Sequence, residues 1–223
     1  MGATRAAAAG NGIRIPTQAR GKRTFAAILE ATAELLVTDG MDAVNTNVIA
    51  KRAHVNVATV YSYFPDKTAI VRQLAQQFED ERFGYVEEMA QRFGRDDWRE
   101  WYATVIDRLA QFRLDVPGAV EIRKIVRSSI DLREIDEEST RGAIELIVVR
   151  LSELNPELSG ARARAVAGVV VRTITEVIDS AFATDPPDMA LVEELKVMVI
   201  GYLEQYLHGA STVVAGVADD VDD

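Results

Sequence analysis

Cysteine is absent from the 223 residues, and histidine occurs only at His54 and His208. The first absence excludes disulfides, thiolate nucleophiles and cysteine-ligated zinc or iron–sulfur centres. The second leaves little for metal ligation or imidazole acid–base chemistry, because the two histidines lie far apart in the chain. Long hydrophobic runs are missing too. Stretches such as 165–171 and 197–203 fall well short of the ~20 apolar residues that cross a bilayer. The alanine run at 6–9 follows Arg5 but is soon interrupted by Gly10-Asn11-Gly12, too short for a signal-peptide core. A cytoplasmic protein with no membrane association is expected. No phosphate loop, dinucleotide fingerprint, Ser/His/Asp arrangement or metal-ligand spacing appears, so neither an enzyme nor a cofactor is expected.

What is present describes a globular helical chain. Hydrophobic residues make up 48% and charged residues 27%, enough for a sizeable core. The 25 Lys and Arg against 35 Asp and Glu give a net charge of −10, which argues against a uniformly basic nucleic-acid coat. The distribution says more than the total. Residues 1–67 carry eight basic and five acidic groups, or +3, which leaves −13 on the rest. That asymmetry suits a polyanion-binding head on a body that does not bind polyanions, or else an unpartnered basic tail.

Helix periodicity dominates the pattern. Phe25, Ile28, Leu29, Ala31, Thr32, Leu35 and Leu36 recur at three- and four-residue spacings and predict an amphipathic helix stopped at Asp39-Gly40. A short helix is predicted from Thr46, with its hydroxyl as cap, and another after an Asn56 cap. Pro65-Asp66-Lys67 opens a fourth helix. Gly94-Arg95-Asp96 precedes a helix carrying Trp98, Trp101, Tyr102 and Phe112. Val116-Pro117-Gly118 separates it from Val120, Ile122, Ile125 and Val126, and a longer helix ends near Asn155-Pro156. Two strongly apolar helices, about 160–183 and 189–207, close the pattern around Asp185-Pro186-Pro187. The expected fold class is all-α, with about nine helices and no parallel sheet for a dinucleotide site.

The informative stretch is 46–67, TNVIAKRAHVNVATVYSYFPDK. Two short helices around His54-Val55-Asn56 read as a helix-turn-helix, whose second helix would insert its N-terminal side chains into a major groove. Asn56, Val57, Ala58, Thr59 and Tyr61 would face outward, while Val55, Val60 and Phe64 pack inward. Small side chains at Val57, Ala58 and Thr59 let the backbone approach base edges, and their methyls suit thymine.

The pattern Ile49-Ala50-x-x-Ala53-x-Val55-x-x-x-Thr59-Val60-Tyr61-x-Tyr63-Phe64-x-x-Lys67, with Ile28-Leu29-x-Ala31-x-x-x-Leu35 and Gly40 before it, resembles the TetR family of one-component transcriptional regulators. The motif covers about residues 20–72, and the remainder agrees in general layout. The resemblance implies a three-helix DNA-binding domain at 20–67, and the residues before it, 1–19, are expected to form a flexible basic arm. A helical ligand-binding and dimerisation domain at 68–210 and a disordered acidic tail at 211–223 would follow. It implies phosphate contacts from Thr46, Tyr61 and Lys67 and base contacts from Asn56, Val57, Ala58 and Thr59, with Tyr63 in either role. It also implies a repressor that binds a palindromic double-stranded operator as a homodimer, with half-sites about 34–36 Å apart or a multiple of that. An activator or a pleiotropic regulator without an inducer is the alternative.

Two departures from the family pattern matter. His54 stands where a turn glycine is usual, which calls for a left-handed backbone that histidine tolerates better than β-branched residues do. The extension carrying Arg14, Arg20, Lys22 and Arg23 would reach the minor groove, where the negative potential favours arginine. In the body, Val166, Val170, Ile174, Ile178, Leu195, Val199, Tyr202 and Tyr206 are the expected dimer face, unless those helices are simply core. Trp101, Phe112, Arg123, Arg127 and Arg172 are expected to line a pocket for a small, partly hydrophobic effector, the arginines pairing with a carboxylate or phenolate.

Overall fold

Phe25, Ile28, Leu29, Ala31, Leu35 and Leu36 are buried along one face of helix α1 (Ala19–Ala43), as the periodicity requires. The computed structural model describes residues 12–91, 97–116 and 118–207. Among them run eight further α-helices: α2 (Thr46–Arg52), α3 (Val57–Tyr63), α4 (Lys67–Gln91), α5 (Trp98–Asp115), α6 (Ala119–Ser128), α7 (Arg133–Leu154), α8 (Gly160–Ala181) and α9 (Met189–Leu207). A short 3-10 turn, Ile130–Leu132, precedes α7, and the described residues contain no strand. The tail at 211–223 and residues 1–11 of the arm lie outside the described residues, as do His208 and the 94–96 breaker.

Gly40 breaks α1 at φ 75°, a backbone region where a side chain is disfavoured, and the chain makes one more turn before α2. Capping then sets each short helix. Asn45, not Thr46, is the cap of α2, its side-chain oxygen accepting from the amides of Asn47 and Val48 at 3.1 and 3.0 Å. Thr46 is the first residue inside the helix, so its hydroxyl has no capping task. Asn56 caps α3 through the amide of Ala58 as expected, and Asp66 accepts from the amide of Ala69 at the start of α4. The turn between α2 and α3 closes by two backbone bonds, His54 to the Lys51 carbonyl and Val55 to the Ala50 carbonyl. That is the paired exit in which the residue after the cap is left-handed, and His54 has φ 54°.

The chain divides into two compact units. Unit 1 comprises residues 1–79 and 116–135, and unit 2 comprises 80–115 and 136–223. The boundary falls inside α4 rather than at Lys67, and α6 joins the N-terminal helices. Two features of unit 1 explain this. The Arg123 guanidinium of α6 donates to the Glu79 carboxylate at 3.2 Å with both side chains buried, and Gly118 leads into α6 against Val37 of α1. Unit 2 has its core between α5, α8 and α9, where Val105, Ile106, Val170, Ile174, Leu195, Val199 and Leu203 are buried. Each large apolar side chain so buried stabilises by roughly 1.5–3 kcal/mol.

Candidate functional site

In unit 1, Val60 and Phe64 of α3 are fully buried, and Phe64 stacks on Phe25 at 4.7 Å between ring centres. This core fixes which way α3 faces. Asn56, Ala58, Tyr61 and Ser62 are then exposed, while Val57 and Thr59 keep part of their surface. The expected contact residues of the first turn of α3 therefore share one accessible end.

Tyr61 is 54% exposed, and its hydroxyl lies 3.0 Å from the hydroxyl of Thr46 on α2. The two residues are fifteen positions apart, and the turn brings them together. One hydroxyl hydrogen is used in the pair and the other is left to donate outward. Lys67, the first residue of α4, is half-buried and donates from Nζ to the Val44 carbonyl at 3.2 Å. Its charge is held at a helix N-terminus, a favourable place for an anion. Arg52 is committed to Glu34 and Asp39, whereas Lys51 is exposed.

Tyr63, for which two roles stood open, is half-buried. Its ring meets Phe25 edge-on at 5.9 Å, and its hydroxyl sits 3.4 Å from where a side chain on Gly21 would begin. The described part of the arm touches the domain at two points: the Arg14 amide donates to the Tyr63 carbonyl at 2.8 Å, and Pro16 lies so close to Gly21 that a Cβ there would meet it at 2.8 Å. Arg14, Arg20, Lys22 and Arg23 are all exposed around this anchored segment.

Two family models match the chain. Residues 28–74 fit "Bacterial regulatory proteins, tetR family", and residues 97–203 fit "Tetracyclin repressor-like, C-terminal domain". The chain belongs to the TetR family of transcriptional regulators. Among relatives, an uncharacterized HTH-type transcriptional regulator YdeS of Bacillus subtilis (strain 168) is 42% identical over 52 residues, 23% of this chain and 26% of the relative. The match thus spans about a quarter of that relative's length. A TetR-family transcriptional regulator from Streptomyces coelicolor has a similar structure, with TM-score 0.60, 28% identity, and coverage of 82% of this chain and 99% of that one. The fatty acid degradation regulator FadR from Bacillus halodurans shares the fold at TM-score 0.62 and 19% identity, over 80% of this chain and 95% of its own. Regulators of the TetR family bind DNA operators and typically act as homodimers.

In this TetR-family chain the residues expected at the effector site are divided between the two units. Trp101 and Phe112 are buried in unit 2, Trp101 donating from Nε1 to the Met89 carbonyl at 2.7 Å and Phe112 packing edge-on against Tyr85 at 5.3 Å. Arg123 lies in unit 1 and its charge is engaged by Glu79. Arg127 and Arg172 are exposed on their helices. Guanidiniums on amphipathic helices usually reach solvent, and the sequence signal for a buried one was absent here. The buried arginines of unit 2 are others. Arg113 donates to Asp179 at 2.8 Å and Arg82 to the Ser139 hydroxyl at 2.8 Å.

The expected dimer face is corrected as well. Val166, Val170, Ile174, Ile178, Leu195 and Val199 are buried within the chain itself, and only Tyr202 and Tyr206 stay partly accessible. The three-and-four spacing that singled them out is the signature of the inward stripe. The other face of each helix retains exposed apolar groups: Val169 on α8, and Val197 and Met198 on α9, 66% and 47% accessible, beside exposed Gly201. No helix among the described residues is long and apolar enough to cross a membrane.

Proposed function

We propose that the chain is a cytoplasmic repressor that binds a palindromic operator as a homodimer and is released by a small, partly hydrophobic effector. The observation that carries the DNA-binding half is the Thr46–Tyr61 hydroxyl pair, set on an accessible face across α2 and α3. Neither hydroxyl is needed as a cap, and a phosphate oxygen would accept the hydrogen that the pair leaves free. Lys67 adds charge at the start of α4, and Asn56, Val57, Ala58 and Thr59 would meet base edges. Arg14, Arg20, Lys22 and Arg23 add sequence-independent attraction from the segment fastened to Tyr63.

Dimerisation follows from the small footprint of a single α3. The exposed apolar faces of α8 and α9, with Val169, Val197, Met198 and Gly201, are the surfaces a second copy would cover, and an elution mass near twice 24.5 kDa is expected. Unit 2 would hold the effector, which lowers operator affinity only by binding the DNA-incompetent state more tightly. This role is regulatory rather than enzymatic.

The test is a mobility shift with the DNA upstream of the chain's own gene. Retardation that a compound reverses supports the repressor. Retention with every compound, together with lost transcription when the gene is deleted, would replace it with an activator or a regulator without an inducer.

A further inference from the structure

Tyr102, in the second turn of α5 in unit 2, is fully buried, and its hydroxyl has no hydrogen-bond partner. Its ring is fixed from two sides, edge-on to Trp101 at 4.8 Å and to Trp98 at 6.3 Å, and Trp101 is itself tied to the Met89 carbonyl. The ring is thus placed by packing alone. A phenylalanine would fill the same space without leaving a buried donor unsatisfied, an omission that lowers a folding equilibrium constant roughly tenfold or more. Native interiors rarely keep such a group unless something else uses it.

Apolar side chains farther along α5 and on the α4 stretch beside it are less closed in. Leu109 lies two turns along α5 on the same inward arc as Tyr102, Val105, Ile106 and Phe112, all buried, yet Leu109 keeps accessible surface. Tyr85 and Met89, on the α4 stretch that touches α5 through Phe112 and Trp101, also remain partly accessible. An orphan hydroxyl in an apolar, aromatic interior therefore lies on helices that keep partly accessible apolar side chains.

We propose that Tyr102 is the hydrogen-bond donor to the effector, and that this effector is a neutral, largely apolar molecule presenting a carbonyl-type acceptor. The inference rests on the effector-responsive reading above and specifies its chemistry. Burial pushes the Tyr102 phenol well above its usual range, so it stays protonated and can donate. An anionic ligand is disfavoured because the buried Arg113 guanidinium already serves Asp179, and an added carboxylate would be desolvated among Trp98, Trp101 and Ile106.

The experiment measures thermal stabilisation of the full-length parent and Tyr102→Phe proteins by 2-nonanone and by nonanoate. Without ligand, Tyr102→Phe should melt at or above the parent temperature, since it removes an unsatisfied donor. The ketone should stabilise the parent, bind Tyr102→Phe roughly tenfold more weakly, and act more strongly than nonanoate. Equal ketone shifts in the two proteins, zero included, would overturn the assignment, as would a larger shift with nonanoate. A Tyr102→Phe protein that melts well below the parent would also overturn it, because the hydroxyl would then have a partner already. Operator release separates this from ligand response itself: a compound that frees the operator equally from both proteins removes Tyr102 and leaves the response standing.

Discussion

In unit 1 three polar side chains near the surface are satisfied by backbone two or three residues away: Asn45, Asn56 and Asp66 each cap the helix that follows. In unit 2 the polar groups that stand out are inside and depend on distant partners. Arg113 reaches Asp179 across 66 residues, Arg82 reaches Ser139 across 57, and Tyr102 reaches nothing. Local rules build a surface whose groups are free to meet a large, charged partner. Long-range pairing builds an interior whose groups are either mutually consumed or reserved for something small. Glu79–Arg123 departs from this in unit 1, a buried pair spanning 44 residues that holds α6 to α4.

The contrast is broken most severely by removing one member of a buried pair. Arg113→Met takes a guanidinium from 2.8 Å away from a carboxylate that is almost wholly buried, and should cost ~3–5 kcal/mol in urea denaturation. The double replacement Arg113→Met with Asp179→Leu should recover most of that loss. A single variant that unfolds like the parent would show that this interior tolerates uncompensated charge, and the distinction between the units would fail.

On the surface of unit 1 the expected effects are on binding instead. Tyr61→Phe removes one neutral donor and should weaken operator binding by roughly tenfold, with the slope of log affinity against log salt unchanged. Lys67→Met removes a charge, and the slope should fall by ~0.9. Titrations of both proteins across salt concentration decide the matter. A slope change with Tyr61→Phe, or none with Lys67→Met, would reverse their roles.

A smaller effect separates two adjacent residues. Asn45→Ala should lose ~1 kcal/mol of stability because it deletes the cap of α2. Thr46→Ala should stay within about 0.5 kcal/mol while still weakening operator binding. The sequence placed the cap one residue late, since Asn45 and Thr46 are both good capping residues and only the backbone angles distinguish them.

That slip marks where sequence stops being legible. The helices and the α3 cap follow from spacing and from local chemistry, so α5, α8 and α9 were foreseen to within a few residues. The pairing of Thr46 with Tyr61 was accessible only as two separate phosphate contacts. The dimer stripe failed because a three-and-four apolar repeat marks whichever face is buried, by its own chain or by another. Val166 and Val170 meet that criterion through their own chain, while Val197 and Met198, off the stripe, remain exposed. The place of Arg172 in an apolar run likewise hid that it occupies the exposed side of α8. Glu79–Arg123 and Arg113–Asp179 leave no local trace, because each joins helices distant in sequence.

The gentlest perturbation lies at His54. The two backbone bonds that end α2 require a left-handed residue there, and His54 adopts φ 54° to satisfy them. A side chain in that region is strained by an amount that glycine avoids, though glycine also gains entropy in the unfolded chain. The net expectation for His54→Gly is a stabilisation of about 0.5 kcal/mol, with operator affinity unchanged because Tyr61 and Thr46 keep their separation. His54→Val, β-branched and poorly suited to positive φ, should destabilise by ~1 kcal/mol or more. Thermal melts of the two variants beside the parent should therefore rank Gly above His above Val, and a histidine more stable than glycine would mean that its side chain contributes a contact of its own at the turn.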